Sequence, residues 1–360
     1  MDVELTALLA LQLLPGAGPA AWTRILELSG TAHAFITHGF GPELEARLTA
    51  SQRERFGPAA RRKAWQHARS ELELAEAQGV LAWGRHQDAF PDRLRQCKDA
   101  PLVLFTRGTP TWNSKKVLAV VGTRRCSQKG LRWTQSFVRN LPPGVVVVSG
   151  LALGIDGAVH RAALERGLET WGVHAAGLHA ASPRQHTPLA NNMIASGGAV
   201  ISECPFEQTP TPGAFPRRNR IVAGLVDAVV VVESAIKGGS LITARLAHGY
   251  DREVYAVPGR PDETVAQGCL QLLVHQVAAV AVDAGQVVRE LGWGTGTVPA
   301  SLTPVPAHLQ DLHAWLAQFG PLHRDELHLK RPGSQTTAGL LELECLGRVR
   351  VLPGTRYEAI

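Results

Sequence analysis

The sequence predicts an α/β protein built around an extended Rossmann-like, doubly wound parallel sheet. A helical, SAM-like domain is expected before the sheet and a winged-helix domain after it. Residues 101–292 alternate short apolar runs with helical patterns, as in sheets covered by helices on both faces. The runs are rich in valine and lack polar alternation, which is typical of strands buried on both sides. At 360 residues, two or three domains are expected.

Residues 1–100 are predicted to be helical. Leu5–Leu14 and Ala20–Leu28 form short helices around the turn LPGAGP (Leu14–Pro19), a pattern typical of SAM-like or helix-hairpin-helix modules. Such turns can bind DNA phosphates through backbone amides, but this hairpin carries one basic residue, Arg24. A packing role is therefore favoured over DNA contact.

Six apolar runs are predicted as the strands of the central sheet. They are Val117–Val121, Val145–Ser149, Thr170–His174, Ala199–Ser202, Ala228–Val232 and Val254–Val257. Helical patterns lie near 128–140, 156–167, 187–197, 239–249 and 284–291. In an open parallel sheet, ligands bind at the carboxyl ends of the strands, so the loops that follow the strands form the candidate site.

The C-terminal part is predicted to be a separate domain. Residues 293–305 are a predicted linker rich in Gly, Pro, Thr and Ser. From residue 306 to 360, helices near 307–318, 323–329 and 335–346 precede a hairpin around Pro353-Gly354. This order predicts a winged helix.

The positive charge of the chain is concentrated in the predicted sheet domain. The net charge is +6, and residues 101–297 hold the whole excess, with 19 Lys and Arg against 13 Asp and Glu. Ala100–Ile155 contains eight basic residues and no acidic one, and Gln208–Val226 contains three arginines and no acidic residue. Segments with basic but no acidic residues, in a protein whose charges otherwise balance, favour a nucleic-acid surface over a solvated basic face.

The segment GTRRCSQKG (Gly122–Gly130) is the strongest candidate for binding a polyanion. It connects a buried strand to a helix, so backbone N–H groups and the positive end of the helix dipole meet above the sheet edge. Arg124 and Arg125 add charge in the same turn, and Lys129 follows.

Two further loops follow strands of the same sheet. Ser149–Asp156 has glycines for a tight turn, with Asp156 as a predicted helix N-cap. Lys237 precedes Gly239 and Ser240, which begin another helix. A helix terminus at a surface favours an anion by about 0.3–1 kcal/mol. Arginines must therefore add forked hydrogen bonds to phosphate.

The segment AFPRRNR (Ala214–Arg220) supplies such arginines and an aromatic ring. Arg217, Arg218 and Arg220 are predicted to contact phosphates. Phe215, in a loop stiffened by prolines, is predicted to stack on a base, which is worth about 1–3 kcal/mol. The alternative is a phenylalanine packed under a loop.

Signatures of several enzyme classes are absent from the sequence. It has no GxxxxGK[ST], GxGxxG or GxSxG string, and no metal-ligand spacing. We expect no cofactor, no metal and no enzymatic activity. One alternative is a phosphoribohydrolase-type enzyme with Glu233 or Glu203 as the acid–base group, beside Asp156 and His160. Another is an adaptor whose basic face binds an acidic protein.

Composition also bears on the compartment. The five cysteines are scattered and odd in number, which favours reduced thiols in a cytosol. The sequence has no run of about 18 apolar residues and no basic-then-apolar leader, so a cytoplasmic protein without a membrane span is expected.

Six strings, in order along about 140 residues, resemble the DprA/Smf family (DNA processing protein A). They are VGTRRCSQKG (Val121–Gly130), SGLALGIDGAVHRAAL (Ser149–Leu164), ISECPF (Ile201–Phe206), FPRRNRIVAGL (Phe215–Leu225), VVVESAIKGGSLITARLA (Val230–Ala247) and VYAVPG (Val254–Gly259). The ordered set is highly specific. The chain departs from the family pattern at Ser182-Pro183, Gly268-Cys269-Leu270 and Val277-Ala278.

The resemblance implies a protein that is not an enzyme. It implies binding and protection of single-stranded DNA in natural transformation, help in loading the RecA recombinase, and a homodimer formed through the Rossmann-like domain. The implied DNA site shares one sheet edge. It comprises Gly122, Thr123, Arg124, Arg125, Lys129, Phe215, Arg217, Arg218, Asn219, Arg220, Lys237, Gly239 and Ser240. Asn219 is expected to hydrogen-bond a phosphate or a base edge.

The predicted third helix of the tail, Gln335–Leu346, contains Glu342 and Glu344 and neither Lys nor Arg. Because this composition repels phosphate, we expect the tail to contact protein rather than duplex DNA. Deleting residues 298–360 should leave the affinity for single-stranded DNA within a few fold, as measured by fluorescence anisotropy. A loss above about tenfold, or about 1.4 kcal/mol, contradicts this.

Overall fold

The computed structural model describes residues 2–293, 305–330, 334–346, 348–352 and 355–359. The chain divides into two compact units, Met1–Trp293 and Gly294–Ile360. Apart from its two end residues, the predicted linker lies outside the described residues. In the part of the chain that the structure describes, no helix has the length and apolar character needed to cross a bilayer.

Nine strands within residues 2–293 form one sheet. They are β1 (Leu81–Gly84), β2 (Val103–Arg107), β3 (Val117–Val121), β4 (Val146–Ser149), β5 (Thr170–Val173), β6 (Ala199–Ser202), β7 (Ala228–Val231), β8 (Glu253–Ala256) and β9 (Ala279–Val280). Their order is β1-β2-β6-β5-β4-β3-β7-β8-β9. The strands from β6 to β9 in this order run parallel, whereas β1 and β2 pair antiparallel. The prediction of a doubly wound α/β fold is confirmed.

The prediction that residues 1–100 are entirely helical is wrong for β1. Leu81 pairs with Thr106 of β2, and the Trp83 indole Nε1 donates to the Thr106 hydroxyl at 2.9 Å. A strand of four residues carries little periodic signal, so its pairing partner decides its structure. The sheet therefore begins before residue 100.

Helices cover both faces of the sheet. Those of the N-terminal segment are α1 (Val3–Leu13), α2 (Pro19–Ser29), α3 (Ala32–His38), α4 (Pro42–Arg47), α5 (Ala50–Arg55) and α6 (Pro58–Ala77). Those that follow are α7 (Asp92–Arg95), α8 (Gln128–Arg139), α9 (Ile155–Arg166), α10 (Thr187–Ala195), α11 (Ala214–Gly224), α12 (Gly239–Gly249), α13 (Gln267–Val274) and α14 (Ala284–Glu290).

Apolar side chains are buried on both faces of the sheet. On one face, Leu118 and Val230 pack with Val159 of α9 and with side chains of α8 and α14. On the other face, Val231 packs with Ile221 of α11 and with side chains of α12. Because side chains alternate along a strand, burial on both faces requires an apolar residue at every position, and β3 and β7 are buried throughout.

The described residues of the second unit form three α-helices and a small sheet. The elements are α15 (Gln310–Phe319), β10 (Leu322–His323), α16 (Arg324–Lys330), α17 (Ser334–Cys345), β11 (Val349–Leu352) and β12 (Arg356–Ala359). β12 lies between β10 and β11, and both pairings are antiparallel. The order of elements follows the prediction, but the winged-helix assignment stays a prediction. Pro353-Gly354 lies outside the described residues.

The strand order places a crevice between β3 and β7. After β3 the chain moves outward through β4, β5 and β6, and then returns to place β7 on the other side of β3. The loops that follow β3 and β7 therefore leave in opposite directions. This reversal is the topological switch point at which open α/β sheets bind ligands.

An ion pair lies where β3 and β7 begin, at the ends of these strands away from the crevice. Asp227 accepts two hydrogen bonds from Arg93 of α7, at 2.6 and 2.9 Å, and a third from the Val117 amide at 2.9 Å. Both side chains are largely buried, so the carboxylate is a structural clamp where the two strands begin.

The variant Asp227→Ala should lower the free energy of unfolding by about 1–3 kcal/mol, because it leaves Arg93 and the Val117 amide without their acceptor. Chemical denaturation measures this change. Asp262→Ala is the control, since its pair with Arg260 is exposed and should contribute less than about 1 kcal/mol. Equal losses in the two variants contradict the clamp.

Candidate nucleic-acid interface

The switch-point crevice has a volume of about 400 Å³. Loops after β3, β4 and β7 and the first turns of α11 and α12 line it. Nine of the thirteen predicted DNA-binding residues line this one crevice: Gly122, Thr123, Arg124, Arg125, Phe215, Arg218, Asn219, Gly239 and Ser240. The lining also includes Gly150, Asp156, Ser234, Gly238 and Ile242.

Backbone contacts fix the loop after β3. The Thr123 amide donates to the Glu233 carbonyl at 2.8 Å, which joins this loop to the one after β7. Gly154 has φ of +78°, and a Cβ there would lie 2.4 Å from the Thr123 carbonyl oxygen. Only glycine meets both conditions without strain, so the loops after β3 and β4 pack backbone against backbone.

The positive end of α8 is occupied by a protein carboxylate. The Glu233 side chain accepts from the Ser127 amide at 2.8 Å and from its hydroxyl at 2.5 Å. The Ser127 hydroxyl in turn caps the Gly130 amide at 3.0 Å. The Glu233 carboxylate therefore offsets the positive end of this helix, which disfavours the predicted phosphate contact there.

The N-terminus of α12 opens toward the crevice. No side chain caps its first turn, and Gly239 and Ser240 both line the crevice. A Cβ on Gly239 would meet no atom within 4 Å. First-turn N–H groups lack helical partners, so this end is suited to an anion.

The prediction of a proline-stiffened loop at Phe215 is wrong, since the segment forms the first turns of α11. Pro216 is compatible with a helix there because first-turn amides need no partner. The Arg124 guanidinium lies 4.7 Å from the centre of the Phe215 ring. A base can stack on that face of the ring only if Arg124 leaves it.

Arg218 lines the floor of the crevice, and its side chain is largely buried there. Its Nη1 donates to the carbonyl oxygens of Gly150 and Val173. Burial lowers the pKa of Arg218 to about 10, opposed by Asp156, so the guanidinium stays charged at neutral pH. Burial raises the pKa of Asp156, and Arg218 counteracts that shift. Arg218 acts as a fixed positive charge in the floor.

Arg217 and Arg220 face a shared carboxylate. Glu203, which is buried, forms an ion pair with Arg217 Nε at 3.1 Å and accepts a hydrogen bond from Arg220 Nη2. Arg220 is also buried and donates to the Asp99 carbonyl. The prediction that Arg220 contacts phosphate is therefore wrong, because its donors are used internally. Arg217 is half exposed and keeps part of its surface for a ligand.

Two predicted lysines lie outside the crevice lining. Lys129 is on α8, where it pairs with Glu263 at 3.0 Å and lines a separate groove beside Trp133. Lys237 is exposed in the loop before α12. Asn219, by contrast, lines the crevice and donates to the Gly239 carbonyl at 3.1 Å, so it joins α11 to α12.

The side chains that line the crevice carry a net positive charge. Arg124 and Arg125 are exposed, and within the described residues no carboxylate forms an ion pair with either. Asp156 is the one acidic residue of the lining, and it is buried beside Arg218. Such a surface suits a ligand with several negative charges. Among the described residues, no three His, Cys, Asp or Glu side chains are grouped to hold a metal ion.

Sequence reasoning missed several parts of this site. Asp156 is not the N-cap of α9, because Gly154 occupies that position. Glu233 closes α8, and Ser234 accepts a hydrogen bond from the Ser240 hydroxyl at 2.9 Å. The string VVVES offered no periodic signal for these roles, since each depends on a contact with a distant loop.

The chain matches the family model of DNA recombination-mediator protein A over residues 82–292. It is 34% identical to Protein Smf of Escherichia coli over 279 residues, which cover 74% of each chain. It is 38% identical to DNA processing protein DprA of Streptococcus pneumoniae over 201 residues, or 56% of this chain and 70% of that protein.

Two solved structures are similar to this fold. The X-ray structure of DprA from Streptococcus pneumoniae matches with a TM-score of 0.64 at 28% identity, covering 81% of this chain and 98% of that chain. DprA from Helicobacter pylori, reported for its single-stranded DNA binding mode, matches with a TM-score of 0.53 at 28% identity. That match covers 59% of this chain and 95% of that one.

His160 of α9 should make the stability of the protein depend on pH. It is fully buried, and burial lowers its pKa from 6.5 to about 3. The native protein therefore excludes a proton that the unfolded chain accepts, so stability is complete above pH 6.5 and falls as the pH drops toward 3.

Between pH 6.5 and 5, the free energy of unfolding of His160→Asn should fall less steeply than that of the wild type. The difference in slope should reach about 1.4 kcal/mol per pH unit for one proton. Urea denaturation at several pH values gives both curves. Parallel curves would mean that His160 does not couple folding to protonation.

Proposed function

The chain belongs to the DNA recombination-mediator protein A family, the DprA/Smf proteins, and from this premise we propose that its switch-point crevice binds single-stranded DNA. One observation carries the proposal. Two exposed arginines, Arg124 and Arg125, share a crevice with the uncapped N-terminus of α12, above the buried charge of Arg218. The Helicobacter pylori relative binds single-stranded DNA, which supports the same role here.

The geometry favours a strand without fixed sequence. Phosphate oxygens are bound by the α12 amides and by the guanidinium groups of Arg124 and Arg125. Phe215 and the half-exposed Ile242 offer apolar surface for bases or sugars. Backbone amides and guanidinium groups read phosphate rather than base identity. Binding is therefore salt-sensitive and largely independent of sequence.

We propose that this chain is not an enzyme. Both oxygens of Glu203 are engaged by arginines, and both oxygens of Glu233 are engaged by Ser127. Neither carboxylate lines the crevice. Asp156 lines the crevice, but its side chain is buried there beside the charge of Arg218. The phosphoribohydrolase alternative therefore lacks an accessible acid–base group at the switch point.

We also propose a homodimer that loads RecA onto the bound strand. The β9 edge is the candidate dimer surface, since Val274 is 77% exposed and Val282 is 62% exposed there. An open sheet edge beside apolar side chains favours pairing with a second chain. Sedimentation equilibrium tests the dimer, and recombinase filament assembly on protein-coated DNA tests loading.

The variant Arg124→Ala should weaken binding of a fluorescent poly-dT oligonucleotide by about tenfold, or about 1.4 kcal/mol. It should also flatten the dependence of log K on log salt by about 0.7 for each phosphate that Arg124 neutralises. Arg217→Ala should have a smaller effect, because Glu203 already neutralises much of that charge. Fluorescence anisotropy at several salt concentrations measures both quantities.

The control for these variants is Arg139→Ala. Arg139 is the last residue of α8, at the end of the helix away from the crevice, and it pairs with Glu165. The control variant removes the same charge and should leave both affinity and salt slope unchanged. The crevice is the wrong site if Arg124→Ala and Arg139→Ala weaken binding equally.

Incubation of the wild-type protein with nucleoside monophosphates should release no free base, because Glu203 and Glu233 lie outside the crevice lining and Asp156 is buried within it. Chromatography of the reaction mixture detects adenine, guanine, cytosine or uracil. Base release that is abolished by Glu233→Gln or Glu203→Gln would establish the hydrolase alternative instead.

A further inference from the structure

The segment Glu203–Phe206, between β6 and α11, is held by the N-terminal helices. Gln12 of α1 donates from Nε2 to the Glu203 carbonyl at 3.0 Å. Its Oε1 accepts from the amides of Leu102 and Val103 at 2.8 and 3.0 Å. One carboxamide therefore joins α1 both to the start of β2 and to the segment after β6.

A second helix holds the same segment. Glu71 of α6 accepts from the Phe206 amide at 2.8 Å. The Glu71 side chain is 12% exposed. The Phe206 ring is buried in the apolar core that contains Leu8 of α1 and Leu72 of α6. The segment is thus anchored to the helical layer by polar and apolar contacts together.

The opposite side of this segment holds α11. The backbone oxygen of Glu203 accepts a hydrogen bond from Gln12, and the Glu203 carboxylate binds Arg217 and Arg220. Those arginines lie on the helix that also presents Phe215 to the crevice. Contacts therefore run without a gap from α1, through Glu203, to the crevice wall.

We propose that the N-terminal helices position α11 for single-stranded DNA binding, with Gln12 and Glu71 as positioning residues. The inference rests on the proposed function of the crevice. Neither side chain lines the crevice, and neither supplies a cation, so both act through the segment Glu203–Phe206. A binding surface holds its geometry only when the residues behind it are fixed. The helical segment is therefore part of the DNA site rather than an independent module.

The experiment compares four variants by thermal unfolding, poly-dT affinity and amide hydrogen exchange of α11 in the DNA-free protein. Gln12→Met and Glu71→Ala remove the two links. Glu71→Gln keeps an acceptor for the Phe206 amide. Ile25→Val is the control for stability, since Ile25 is fully buried in α2 and its side chain makes no hydrogen bond to the segment Glu203–Phe206.

Gln12→Met and Glu71→Ala should each weaken poly-dT binding by about 3- to 10-fold and speed amide exchange in α11. Glu71→Gln should restore both properties. Ile25→Val should lower the thermal midpoint while leaving affinity and α11 exchange unchanged. If Gln12→Met does not fold, the contrast between Glu71→Ala and Glu71→Gln still tests whether the N-terminal helices position α11.

Unchanged α11 exchange in both link variants would overturn the inference, whatever their DNA affinity. Equal loss of affinity in Ile25→Val would also overturn it, because general destabilisation would then explain the effect. Failure of the wild-type protein to bind poly-dT would refute the proposed function instead. In that case, faster α11 exchange still shows that the helices position α11.

Discussion

The candidate site depends on one residue that joins two loops across the switch point. The Glu233 carbonyl accepts from the Thr123 amide, and its carboxylate closes the N-terminus of α8 through Ser127. The first contact holds the loops after β3 and β7 together. The second disfavours α8 as an anion site, whereas the terminus of α12 has no side-chain cap and is the candidate phosphate site that we propose. A single glutamate thereby joins the two loops that line the crevice and disfavours one of the helix ends near it as a phosphate site.

The arginines near the site differ in role according to how deeply each side chain is buried. Arg218 and Arg220 are buried and bonded internally, so they stabilise the floor and the α11 wall. Arg124 and Arg125 are exposed and available to a ligand. Arg217 lies between these cases, half exposed but paired with Glu203. Buried cations still contribute to the field in the crevice, so a short basic segment can serve structure and binding at once.

Much of the sheet follows from the sequence, because strands buried on both faces need apolar residues at every position. Val117–Val121 and Ala199–Ser202 therefore have the bounds that the pattern predicts. Neither β1 nor α11 could be predicted from the apolar pattern. β1 is defined by its pairing with β2, and α11 follows a proline-rich stretch that masks its helical pattern. At the site, glycine and arginine motifs predicted the location of the crevice. Which arginines are buried could not be predicted, since Glu203 and Asp156 reach them through tertiary contacts.

The most direct test of this account is a hydrogen-exchange footprint of the wild-type protein with and without a poly-dT oligonucleotide. The account predicts slower exchange on binding at the amides of residues 123–125 and 238–241, which form the two sides of the crevice. Amides of the Ser127–Gly130 turn should change little, because Glu233 already occupies that helix end. Protection confined to other surfaces, with these two loops unaffected, would contradict the central claim.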